Sequence, residues 1–192
     1  MCRYAMTKYK SHYACFECRK TYKRRLLSDI VRKDDIELEL KEAKCPQCGN
    51  LMANMGKDFE APKKGAVKEW EHIKRLYSVG ITFHSCGCNG PGYIPNTTES
   101  LIAYLQEIKK DYNYNLDFWR KREEPTDKNE IDRDNSNSKN WLFISKVTAE
   151  IRSKKGLIKN EDAKRYWIDR INEIDNKLER LKITTANTVY KP

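Results

Sequence analysis

No stretch of this 192-residue chain approaches the roughly 18–20 consecutive apolar residues that cross a bilayer, so no membrane-spanning helix is expected. Nor does an apolar h-region follow the basic groups of the first 25 residues, so the chain reads as soluble, unexported and cytoplasmic. Apolar residues make up only 39% of it. Soluble domains run to about 45–50% on a closely similar scale, so part of the chain is expected to stay outside any packed core. Seven cysteines are too few for a secreted disulfide scaffold, and their odd number and close pairing point to metal thiolates in a reducing compartment. There is no internal repeat of solenoid or propeller period, no Walker motif, and no His-x-Glu ahead of a Cys-x-x-Cys pair as zinc deaminases carry. No enzymatic activity is expected.

What is present is charge, unevenly placed. The chain holds 38 Lys and Arg against 28 Asp and Glu, a formal net charge of +10. Residues 1–25 carry eight cations against Glu17 alone, so seven of the ten net charges sit in that one segment. Arg19, Lys20, Lys23, Arg24 and Arg25 surround Tyr22, and Tyr4, Tyr9, Tyr13 and Phe16 are interleaved with the earlier cations. Cations neutralise phosphates by releasing counterions, and aromatic rings offer faces on which unpaired bases stack.

Periodicity predicts an α+β chain. Residues 9–23 alternate as two short strands around a turn at Cys15–Cys18. In 24–44, Leu26, Leu27, Ile30 and Val31 suit a short helical face, while Ile36, Leu38 and Leu40 alternate as a half-buried strand would. A helix over about 64–78 is marked by Val67, Trp70, Ile73, Leu76 and Tyr77, with Gly80 as its stop. A second starts near Thr97 with Asn96 and Glu99 as a capping box and ends around Tyr112. The polar run from 116 to 140 reads as a solvated linker. It separates a domain over 1–115 from a helical hairpin over 141–192, whose stripe Trp167, Ile171, Ile174, Leu178 and Leu181 can dock on the chain itself or on a partner protein.

The strongest motif is a pair of pairs, Cys15-Phe-Glu-Cys18 and Cys45-Pro-Gln-Cys48-Gly49. Two thiolates at i and i+3 in a tight turn face one ion, and two such turns complete the four-sulfur tetrahedron that Zn²⁺ favours in structural sites. Gly49 suits the left-handed residue that closes such a turn. Over about residues 12–50 the pattern resembles the zinc-ribbon class of zinc finger. The resemblance implies a small β-hairpin module with structural zinc, of the kind found in transcription, translation and DNA-processing proteins. It does not extend past residue 50, and it selects no function.

His84, Cys86 and Cys88 form a second, denser group, with Cys2 or His12 available as a fourth ligand. Alternatively Cys86 and Cys88 complete the first site with one of its pairs, or serve only as small side chains in a glycine-rich bend. His72, beside Trp70 and Ile73, reads as a packing or surface residue. The loop from Gly87 to Thr97, ahead of a helix, reads as a structural turn before it reads as an anion site. Two functions follow: a zinc module that binds RNA or DNA through Arg19, Lys20, Tyr22, Lys23, Arg24 and Arg25, or a zinc-stabilised protein-interaction module.

Overall fold

The computed structural model describes residues 10–25, 43–85, 90–153 and 156–189. Among these, three strands, β1 (Lys10–Cys15), β2 (Lys20–Arg25) and β3 (Ala53–Gly56), form one antiparallel sheet in the order β2-β1-β3. Five α-helices follow: α1 (Val67–Ser78), α2 (Thr98–Lys121), α3 (Lys128–Ser136), α4 (Ser138–Ile144) and α5 (Asn160–Val189). The architecture is α+β, as the periodicity indicated. None of these helices is long and apolar enough to cross a membrane. The short helix and half-buried strand expected within 24–44 fall mostly on residues 26–42, outside the described residues.

The chain divides into two compact units, Met1–Leu101 and Ile102–Pro192, a boundary in the first turn of α2 and not at 115/116. In the first unit the strand period of two sorts β1 onto two faces. Ala14 turns to one side, where Ala53, Met55, Phe59, Trp70 and Ile73 bury it with α1. Tyr13 and Cys15 turn to the other, against Tyr22, Cys18, Cys45 and Met52. β1 therefore belongs to both cores. The helix α1 ends as expected: Gly80 takes φ +83°, its N–H donates to Tyr77 O at 3.0 Å and the Ile81 N–H donates to Leu76 O at 2.9 Å. These are the two bonds of a Schellman close.

After α1 the chain returns along β3. The Phe83 N–H donates to Met55 O at 2.7 Å, and the Asp58 N–H to Phe83 O at 3.2 Å. This passage is tight at Gly56, where φ is +93° and a Cβ would stand 2.6 Å from Phe83 and His84 backbone atoms. Neither the left-handed conformation nor the contact admits a side chain. Gly56→Ala is expected to cost about 2–3 kcal/mol, the left-handed penalty plus displacement of packed backbone. Urea unfolding measures it, and an unchanged midpoint would contradict the argument.

The second unit departs most from the expectations. α2 begins with a capping box shifted one residue from Asn96–Glu99: the Ser100 N–H donates to Thr97 Oγ1 and the Thr97 N–H to Ser100 Oγ, both at 3.0 Å. It runs to Lys121, nine residues past Tyr112, because Tyr112, Leu116 and Trp119 continue its apolar face into the unit's core with Ile144, Val147, Ile158 and Trp167. The stretch 116–140 is consequently no solvated linker. It holds the end of α2, all of α3 and the start of α4. Asp127 caps α3, accepting from the Glu130 N–H at 2.9 Å, while Glu130 Oε2 accepts from the Thr126 N–H at 2.8 Å. Ile131 is its one buried apolar side chain. In place of a hairpin of two long helices over 141–192, the unit has the short α4, a 3-10 turn at Ala149–Ile151 and the long α5.

Candidate metal centre

Two short turns build the site. The first joins β1 to β2 and carries Cys15 and Cys18, with the Cys18 N–H directed at Cys15 Sγ at 3.4 Å. The second lies between Ala43 and Met52, where the Met52 N–H donates to Ala43 O at 2.8 Å and Lys44 bridges Leu51. The Cys45 N–H donates to Asn50 O at 2.8 Å and the Gly49 N–H to Cys45 O at 2.9 Å, closing the turn that carries Cys45 and Cys48. Each turn ends on a left-handed residue, Gly49 at φ +76° and Arg19 at φ +49°. The glycine was legible from the sequence. The arginine in the equivalent place was not, since a residue with a Cβ is unfavourable there by about 1–2 kcal/mol.

The four sulfurs converge from these turns and all lie within 4.8 Å of one another. Cys15 Sγ stands 3.6 Å from Cys48 Sγ, and Cys45 Sγ stands 4.0 Å from Cys18 Sγ. A tetrahedral ion with Zn–S bonds of about 2.3 Å sets its sulfurs about 3.8 Å apart, so these separations bracket that edge. None of the four is in a disulfide. Cys15 and Cys45 are buried, Cys18 is half-buried and Cys48 is exposed, so the cluster sits with one side on the Tyr13, Tyr22 and Met52 wall and the other towards solvent.

Four thiols this close cannot all ionise without a cation among them. Hydrogen bonding from Cys48 and burial push the Cys18 thiol up to about 12. Burial also raises Cys15, with Cys48 and Cys45 adding to it and the Cys18 N–H opposing. At Cys45 burial opposes ionisation, but the backbone N–H groups of Cys48 and Gln47 outweigh it and bring that thiol down to about 6. The Cys45 thiolate is favoured while Cys15 and Cys18 hold their protons, which is the electrostatic condition a divalent ion relieves. The donor set is four soft sulfurs drawn together from two turns, a set that suits zinc or an iron–sulfur centre and not magnesium or calcium.

Compared with family models, with curated proteins and with solved structures, the chain matches none.

The remaining candidates fall differently. Cys2, Cys86 and Cys88 lie outside the described residues. His84 is exposed, its Nδ1 2.9 Å from Thr82 Oγ1. His12 Nδ1 is engaged with Phe59 O at 2.6 Å, and its ring meets Phe59 edge-on. His72, on α1, donates from Nε2 to Pro95 O at 2.9 Å, a packing role as expected. Of the loop from Gly87 to Thr97, residues 87–89 lie outside the described residues, and Thr97 is taken up by the α2 cap.

The basic residues divide between the sheet's faces. Strand alternation sends Lys20, Tyr22 and Arg24 to the sulfur side and Lys23 to the other. Tyr22 packs against the cysteine cluster, where burial and Cys45 hold its hydroxyl proton on, so its ring is wall and not an open stacking face. Arg24 Nη2 donates to Lys44 O at 3.2 Å, tying β2 to the second turn. Lys20 and Lys23 are exposed, Arg19 is half-buried, and Arg25 closes the strand. Sequence reasoning misses Lys44, exposed beside Cys45, because it lies 19 residues beyond the basic run.

Proposed function

We propose that Cys15, Cys18, Cys45 and Cys48 hold one structural Zn²⁺ in a zinc-ribbon-like module, and that this module binds nucleic acid. The observation that carries the zinc reading is the pair of sulfur separations at the tetrahedral edge. Zinc held by four thiolates has no open position for water, so its contribution is to fix two turns and the sheet between them, which is what a rigid binding surface requires.

The nucleic-acid reading is supported by charge. Residues 10–25 and 43–50 carry seven cations, Lys10, Arg19, Lys20, Lys23, Arg24, Arg25 and Lys44, against Glu17. That one acid already pairs with Lys74 at 3.6 Å. Because strand alternation spreads these cations over both sheet faces, the contacts follow the β2 strand and its turns and not a single flat face. With four or five phosphates met, the affinity for a generic oligonucleotide is expected to fall with a log–log salt slope of about −3 to −5. Lys20→Glu with Lys23→Glu removes most of it. Zinc per chain by elemental analysis, and a salt titration of oligonucleotide binding, are the two measurements. A salt-independent affinity, or one unmoved by the double charge reversal, rejects the nucleic-acid reading and leaves the zinc reading standing.

A further inference from the structure

The four clustered cysteines are not equally reachable. Cys48 is exposed and stands in a stretch, 46–51, whose every residue is exposed, whereas Cys15 and Cys45 are buried and Cys18 is half-buried. Cys48 Sγ lies 3.6 Å from Cys15 Sγ, and Cys18 Sγ lies 4.0 Å from Cys45 Sγ. Both separations run from one turn to the other. A disulfide brings two sulfurs to about 2.05 Å, so each pair has only about 1.5–2 Å to close.

An accessible thiolate with a second sulfur poised to displace its oxidised form is the arrangement of a peroxide-reactive pair. Cys48 fits the first role by exposure. Cys15 fits the second, because burial shields it from an oxidant in solution while Cys48 stays in contact with it.

We infer that Cys48 is the site at which a hydroperoxide oxidises the cluster, and that Cys15 resolves it, giving a reversible disulfide between the two turns and releasing the metal. The release rests on the zinc reading above; the pairing rests on the sulfur separations alone. In the first step the Cys48 thiolate attacks a peroxide oxygen, the O–O bond breaks, and hydroxide (or alkoxide, from an organic hydroperoxide) leaves a sulfenic acid on Cys48. The Cys15 thiolate then attacks the Cys48 sulfur, the S–O bond breaks and hydroxide leaves. Two thiolates have lost two electrons, and the peroxide has gained them. Only Cys18 and Cys45 remain as ligands, too few for a closed four-sulfur site. A second peroxide joins these two in the same way. Both disulfides cross from one turn to the other, so the oxidised protein stays fastened where the metal held it.

The test treats the full-length zinc-loaded protein with hydrogen peroxide in measured equivalents and follows zinc with a chromogenic indicator. Free thiols are alkylated, cleavage after Glu17 separates Cys15 from Cys18, and tandem mass spectrometry tells Cys45 from Cys48. The expected result is a first disulfide between Cys15 and Cys48, formed as zinc is released, then one between Cys18 and Cys45. Dithiothreitol with added zinc restores the starting state. Cys48→His keeps a zinc ligand but offers no sulfur there, and is expected to slow peroxide-driven zinc release about tenfold. Zinc retained after peroxide, release with bonds between Cys15 and Cys18 or Cys45 and Cys48, or wild-type release from zinc-loaded Cys48→His protein overturns the inference and leaves the zinc reading standing. A wild-type protein that binds no zinc rejects both.

Discussion

Cys45→Ser is expected to abolish zinc binding and to unfold the sheet of the first unit. A structural zinc contributes on the order of 10 kcal/mol or more to a small module, comparable with the entire stability of an ordinary domain. Three sulfurs and a hydroxyl hold the ion far more weakly, and the protein is left with closely packed thiols around a site nothing fills. The damage is not confined to the turns. β1 contributes Cys15 to the sulfur side and Ala14 to the side covered by α1, so fraying of the strand opens both cores together. Metal content and thermal unfolding are the measurements, with amide exchange along β1 as the local reporter. A variant that retains one zinc per chain and melts with the wild type would sink the metal assignment. Chelation of the wild-type protein is expected to reproduce the loss, and acidification to promote it, since thiols must lose their protons to bind the ion.

Arg122→Ala is expected to destabilise the second unit by about 3–5 kcal/mol, the usual cost of breaking a buried ion pair from one side. The side chains of Arg122 and Asp134 are 5% and 13% exposed and meet at 2.5 Å. Arg122 uses every edge of its guanidinium: Nε and Nη2 donate to Asp134 Oδ2, while Nη1 donates to Ile158 O and Asn160 Oδ1. Its flat face lies over the Trp119 ring at 4.9 Å. Alanine leaves a buried carboxylate with only the Asn140 amide beside it. Lysine is not expected to rescue, because a compact ammonium does not reproduce the planar fork whose separate nitrogens reach Asp134, Ile158 and Asn160 together. Denaturant unfolding followed by tryptophan emission gives the number. A loss below about 1 kcal/mol would show that the pair contributes no more than a surface bridge.

These two sites were unequally legible in the sequence, for a physical reason. Cys15, Cys18, Cys45 and Cys48 announce themselves because the spacing within each pair is itself the local geometry of a metal turn, and only the meeting of the two turns is long-range. The end of α1 was legible on the same grounds, since Gly80 acts within its own turn. Arg122 and Asp134 are twelve residues apart in a run of Asn, Asp, Glu and Lys whose composition matches solvated chain. What orders that run is a guanidinium buried against another element's carbonyl and one buried isoleucine, Ile131. Neither has a periodic signature. Ending α2 at Tyr112 had the same origin, because Leu116 and Trp119 reach the core only when the helix continues through both.

The two sulfur-bearing turns look alike in spacing, yet they close on different residues. Gly49 adopts its left-handed conformation without strain, whether or not an ion is present. Arg19 holds φ +49° against a cost of about 1–2 kcal/mol, with its Nε buried and lacking a hydrogen-bond partner among the described residues. The four-sulfur cluster therefore has two unequal halves. One is a relaxed claw that keeps its shape on its own. The other carries the cost of Arg19's conformation, so a competing chelator is expected to open that side of a loaded site first.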